Sequence, residues 1–203
     1  MDILQVVISG ILLGGVYALF ATGLNLIFGV MKVINLGHGE LMMLGAYTTF
    51  FLFDGAGLNP LLTIPLSAAA LALFGVLLQA GVVERVVNQP LLSSLLLTFG
   101  LSTLMMGVAL NLWTSNFRSV VWEPLTGSWD VAGISVSRSR LVAFLIALLV
   151  TAGTWLFLQR TTFGKAVRAT AQHPQVAQIC GIDVRKVRLA TFGLGSAMAA
   201  VAG

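Results

Sequence analysis

The sequence predicts an all-α fold, a polytopic bundle of membrane-crossing helices, and three observations carry that prediction. Of the 203 residues, 58% are hydrophobic and 9% charged, against roughly 25% charged in an average soluble domain. Uncharged runs cover 3–31, 55–83 and 86–117, each longer than the roughly 20 residues a helix needs to cross a bilayer core. The net charge of +4 is concentrated, since Arg160, Lys165, Arg168, Arg185, Lys186 and Arg188 share one segment whose only acid is Asp183. Between spans, such an excess of Lys and Arg marks a cytoplasmic loop, which places 160–188 in the cytoplasm and favours orientation over nucleic-acid binding.

The first span, 3–30, follows Asp2 and is too long for the apolar core of a cleaved leader, so it reads as a retained helix. The second, 41–53, is short and reads either as a simple span or as one limb of a broken or re-entrant element. The third, fourth and fifth cover 58–83, 91–116 and 141–159. A sixth begins at Leu189, with too few residues after it to cross a bilayer. The chain therefore reads as one transmembrane domain, 1–203, incomplete at its C-terminus. Five simple crossings put Met1 outside, and a change in the second element would reverse it.

Small residues recur at Gly10, Gly14, Ala18 and Thr22, and again at Gly195, Ala199 and Gly203. In lipid such stripes let helix backbones approach closely, and packing within the bundle is expected rather than a dimer face. Trp113, Trp122 and Trp129 bracket the loop 115–140, and Trp155 lies near the far end of the fifth span, as interfacial anchors do. Within that loop Pro124, Gly127 and Gly133 accompany the alternation "VAGISVS", so a small hairpin or an irregular cap is expected. Its charges, Arg118, Glu123, Asp130, Arg138 and Arg140, suit either a soluble partner or plain solvation.

The sequence offers no constellation for catalysis. His38 and His173 are the only histidines, lie in separate segments and form no HExxH pattern, so no metal site is expected. The phosphate-cradling loop fails as well, because "FGK" at 163–165 has Gln159 where the first glycine belongs and Ala166 where a Ser or Thr should hold magnesium. No cofactor is expected on this chain; any nucleotide would be bound by another subunit. Cys180, the only cysteine, cannot form an intramolecular disulfide and is expected to be a small apolar filler.

Two segments carry more information. In the basic segment, Pro174 suits the first turn of a helix and Gly181 the left-handed position just past its end. That frames a short helix over 174–180. Val176, Ile179 and Cys180 give it a narrow apolar face, fit for a partner's groove or for the bundle's own cytoplasmic ends. In "NLGHGELMMLGAY", Met31 and Lys32 end the first run and Gly37 and Gly39 flank His38, weakening helix by about 1 kcal/mol per glycine. A break near 35–40 follows. It is either an interfacial turn, with His38 and Glu40 facing water, or irregular backbone at membrane depth, which survives only in protein or beside a water-filled cavity and often marks a substrate path.

At these residues a family resemblance enters. "VINLGHGELMMLGAY" resembles the signature of bacterial ABC-transporter permeases for branched-chain amino acids, and "TTFGKAVRATAQHPQVAQICGIDVRKVRLATFGLGSAMAAVAG" is similar to that family's cytoplasmic coupling segment and following helix. "LLLTFGLSTLMMGVALNLWTSNFRSV" looks like the high-affinity permease subunit. The resemblance implies the ABC importer permease fold and a multi-pass protein of the bacterial inner membrane. It also implies a second homologous permease, two cytoplasmic ATPase subunits binding ATP and magnesium, and a periplasmic substrate-binding protein. It assigns ATPase coupling to Gly164, Arg168, Ala169, Ala171, Ala177, Gly181 and Ile182, with Lys165 and Val176 alongside. Lys165 and Arg168 are also expected to meet acidic partner groups or lipid headgroups. Asn35, His38, Gly39 and Glu40 belong to a characteristic core element, and with Gly37 they are the transport-path candidates.

A urea or amide permease is the nearest rival, since that branch shares "HGE" and "GLGS", while "SNFRSV" favours amino acids. An ion-coupled carrier would need more intramembrane ionisable groups than His38 and Glu40. An intramembrane enzyme would need an acid, base or metal set that the sequence lacks.

Overall fold

The computed structural model describes residues 3–203 apart from 115, 117, 132 and 133. In chain order it contains α1 (Ile3–Met31), α2 (His38–Ala56), α3 (Pro60–Gly81), a 3-10 turn at Val83–Arg85 and α4 (Leu91–Trp113). A hairpin of β1 (Ser128–Val131) and β2 (Ile134–Ser137) follows, then α5 (Arg138–Arg160), α6 (Thr162–Gln172), α7 (Pro174–Ile179) and α8 (Val184–Ala202). Four stretches are long and apolar enough to cross a membrane: α1, Pro60–Arg85, α4 and α5.

Local chemistry sets the ends. Gly57 closes α2 in the left-handed region at φ 63°, its N–H bonding Phe53 while Leu58 bonds back to Leu52, as helix C-caps do. The Asn59 side chain accepts from Leu61 N at 2.9 Å and Pro60 takes the first position of α3. The expected hairpin forms in antiparallel register, Ser128 opposite Ser137 and Trp129 opposite Val136. Gly133, which the sequence suggests for its turn, lies outside the described residues.

The core is built around α8, against which α1, α2 and α3 all pack. Phe192 is fully buried there among Ile27, Leu71 and Ala199. Approach is close enough that glycine is required: a Cβ on Gly45 would collide with the backbone of Ala200, and one on Gly195 would lie 2.7 Å from Ile27 and 2.9 Å from the Gly23 carbonyl. Dispersion at such short helix separations replaces a hydrophobic drive that lipid does not supply.

Several expectations need correction. The helix that contains Leu189, α8, begins earlier, at Val184, because Asp183 caps it by accepting from Lys186 N at 3.1 Å. Val184, Val187 and Thr191 then continue its buried face through the basic segment while Arg185 and Lys186 point outward. The stripe Gly10, Gly14 and Ala18 does not pack inside the bundle. All three are exposed, and Cβ atoms on Gly10 and Gly14 would meet nothing; the helix turns its neighbouring face inward, with Leu12, Leu19, Gly23 and Ile27 buried. Only the Gly195, Ala199 and Gly203 stripe packs as expected. Cys180 is exposed, not a filler.

Candidate functional site: a broken segment at half depth

The chain leaves α1 at Met31, and Lys32 adopts φ 56°. Residues 32–37 are not helical, so the interruption begins earlier than 35. His38, Gly39 and Glu40 form the first turn of α2 rather than the break itself.

The position of that first turn is decisive. His38 Nε2 lies 3.2 Å from the Phe20 carbonyl, with the two rings 4.7 Å apart. Phe20 stands about 16 Å back from the end of α1 at ~1.5 Å rise per residue, and residues 32–37 can reach about 20 Å when extended. The chain therefore turns back after α1 and starts its next helix about halfway along it. Contacts on the other side agree. Thr98 donates to the Ile34 carbonyl at 2.9 Å and Ser102 to Glu40 Oε1 at 2.6 Å, and Ser102 is near the midpoint of α4. The second element is thus a broken limb, its first part completed by non-helical chain.

His38 and Glu40 do not act as a pair. Two residues apart on a helix they face roughly opposite ways, His38 toward α1 and Glu40 toward α4. Asn35 folds over the turn, its Oδ1 accepting from Gly37 N at 3.1 Å. Asn35 and His38 are almost wholly buried, at 3% and 1% exposure. Asn35 Nδ2, His38 Nδ1 and Glu40 Oε2 are each buried with no protein partner. Buried polar atoms left so are rare, because each costs about 1–3 kcal/mol. Gly37 is enclosed by Met105 and Ser102, whereas Gly39 is exposed with open space beside it.

Two openings lie elsewhere on the bundle, and neither is lined by Asn35, Gly37, His38 or Glu40. A mostly apolar cavity of about 530 Å³ is lined by Val16, Leu19, Thr49, Ile64 and Trp122. At the opposite end a more polar groove of about 950 Å³ is lined by Met31, Lys32, Asn88, Thr170, Arg185 and Arg188.

The basic segment is helical. Thr161 caps α6 by accepting from Gly164 N at 3.1 Å. Gly164 is buried where a Cβ would run into the Leu158 backbone, and Arg168 donates to the Leu158 carbonyl. These two hold α6 against the end of α5, with Lys165 exposed and Ala169 and Ala171 half-buried. On α7, Val176 is 56% and Ile179 85% exposed, while Ala177 is 3% exposed. Gly181 adopts φ 83°, as its sequence context predicts, and Ile182 N bonds back to the Ala177 carbonyl. The exposed Asp183 carboxyl is held below its ordinary value, first by the Lys186 backbone N–H and then by the Lys186 side chain.

Sequence reasoning missed one cluster. Glu84, after α3, pairs with Arg188 of α8, and its second oxygen accepts from Gln79 Nε2 at 2.7 Å. Gln79 is fully buried. The available signal was Glu84 itself, the one acid between two long uncharged runs. Among the described residues, no group of three or more His, Cys, Asp or Glu is placed to hold a metal ion.

A bundle of apolar helices around a broken, polar segment held between the middles of α1 and α4 defines a multi-pass membrane protein of transporter type. The chain belongs to the family described as branched-chain amino acid transport system / permease component, whose model matches residues 6–203. It is similar to the high-affinity branched-chain amino acid transport system permease proteins BraD of Pseudomonas aeruginosa, at 28% identity, and LivH of Escherichia coli K12, at 30%, each over 98% of this chain and 69% of the relative. It also resembles the guanosine ABC transporter permease protein NupQ of Bacillus subtilis, 28% identical over 93% of this chain and 63% of the relative. No solved structure matches.

Proposed function

We propose that this chain is the translocating subunit of an importer for branched-chain or related amino acids in a bacterial inner membrane. The observation that carries this reading is the break at 32–37, which brings Asn35, Gly37, His38 and Glu40 between the middles of α1 and α4 with buried polar atoms left unpartnered. Irregular backbone and unpartnered polar atoms at that depth suit a closed section of a path. Gly39, exposed with open space beside it, takes no part in this arrangement.

The chain hydrolyses nothing itself. Two cytoplasmic ATPase subunits, carrying ATP and magnesium, take Val176 and Ile179 of α7 into a groove, an unpartnered apolar face on a short helix being suited to that mode. Gly164, Arg168, Ala169, Ala171, Ala177, Gly181 and Ile182 hold that helix in place, with Lys165 free to meet an acidic group. A second homologous permease completes the path and a periplasmic binding protein delivers substrate. The basic residues of 160–188 support its cytoplasmic placement.

The test is ATP-driven uptake of labelled leucine by the assembled complex in proteoliposomes, competed with isoleucine, valine, glutamate, urea and guanosine. Competition by the aliphatic amino acids is expected. Competition by urea or guanosine alone, or uptake that ignores ATP, overturns the assignment.

A further inference from the structure

The Glu84, Gln79 and Arg188 cluster joins two elements that meet nowhere else through charged groups among the described residues. Glu84 follows α3 directly, and Arg188 lies one turn into α8. Both carboxylate oxygens are engaged, one by Arg188 and the other by Gln79. The side chains of Arg188 and Glu84 are only 15% and 17% exposed. A pair withdrawn from water in this way is a poor source of net stability, since desolvation offsets much of the attraction, yet losing one partner strands a charge. Its placement therefore calls for a reason other than stability.

Farther along, α3 and α8 are already locked by close packing. A Cβ on Gly75 would collide with Ser196, and one on Gly193 would come within 2.8 Å of Val76 and 3.1 Å of the Ala72 carbonyl. At the cytoplasmic end, α8 is joined to α7 by only a short turn, in which Ile182 N bonds the Ala177 carbonyl. At its other end α8 meets Gly23, beside which His38 Nε2 lies, and Gly45 of α2. A displacement of α7 thus reaches the start of α8 first, and the ion pair ties the adjoining end of α3 to it, where the glycine packing does not reach.

We propose that the Glu84–Arg188 pair, steadied by Gln79, is a positioning pin that holds the end of α3 to the start of α8 when α7 is displaced, so that it sets how much transport each ATP hydrolysed yields. The inference rests on the proposed function above.

The experiment compares wild type, Glu84→Gln, Glu84→Arg, Arg188→Glu and the double reversal Glu84→Arg with Arg188→Glu, each in the complete complex in proteoliposomes. Assembly, ATPase rate and leucine uptake are read together. Glu84→Gln is expected to give less complex, because Arg188 loses its partner, but the complex that forms is expected to hydrolyse ATP at a wild-type rate while uptake per ATP falls at least fivefold. The single reversals are expected to lose coupling further, and the double reversal to recover at least half of it. A purely structural pair would lower the amount of complex and both rates together, leaving uptake per ATP unchanged; that outcome, or a double reversal no better than the worse single, overturns the pin. Absence of ATP-driven uptake in wild type overturns the transport reading itself, and the pin with it.

Discussion

The Ser102 hydroxyl donates to Glu40 at 2.6 Å, joining the first turn of α2 to the middle of α4. With Thr98 on the Ile34 carbonyl, it anchors α4 to the non-helical turn. Ser102→Ala should therefore destabilise the protein by about 1–2 kcal/mol, the cost of leaving a buried acceptor unpaired, measurable as a lower unfolding midpoint in detergent. Glu40→Gln should keep the fold and reduce leucine uptake several-fold. Wild-type uptake in that variant would remove Glu40 from the path.

Two glycines in α2 provide a matched pair. Gly45→Ala would drive a Cβ into the Ala200 backbone and should cost about 1–3 kcal/mol, the usual range for overpacking. Gly39→Ala meets open space and should be neutral or stabilising by up to about 1 kcal/mol, from helix propensity. Thermal unfolding of both variants checks the helix packing directly. A Gly39→Ala loss as large as that of Gly45→Ala would contradict it.

On α7, adjacent positions should fail differently. Ile179→Asp places a charge on an exposed face and should leave the isolated permease as stable as wild type while abolishing ATPase co-purification. Ala177→Asp buries a charge without a partner and should cost several kcal/mol, lowering expression before any docking is tested. Co-purification and unfolding midpoints separate the two effects.

The cap of α8 predicts a pH dependence with a definite sign. Asp183 has a depressed folded value, chiefly through the Lys186 N–H, relative to an ordinary 3.8. A depressed carboxyl contributes stability above its unfolded value and loses it as pH falls through the folded value. Amide exchange at the start of α8 should therefore stay slow through neutral pH and accelerate only below about pH 4 after correction for intrinsic rates. Asp183→Asn, which still offers a capping oxygen, should flatten that dependence.

Spans and broken element were legible because hydropathy and glycine placement act locally. The start of α8 was not, since a window averaging Arg185, Lys186 and Arg188 with Val184 and Val187 hides a face that only periodicity reveals. Which side of α1 faces inward was equally hidden: Gly10, Gly14 and Leu12 are all acceptable to lipid and to protein, so composition could not choose. The motif residues of the turn were readable as a group, but their opposite directions depend on α1 and α4 arriving from distant parts of the chain. Glu84 was visible as an isolated acid, whereas its partner sits 104 positions away.

The half-depth start of α2 also has an electrical meaning. If the proposed path runs past Asn35 and Glu40 midway through the membrane voltage, one net charge arriving there does work of roughly 1 kcal/mol per 100 mV. A zwitterion with an aliphatic side chain crosses the same field at no net cost, and a lysine or a glutamate does not. On that path the voltage would sort substrates by net charge at this turn, independently of any contact made to the side chain.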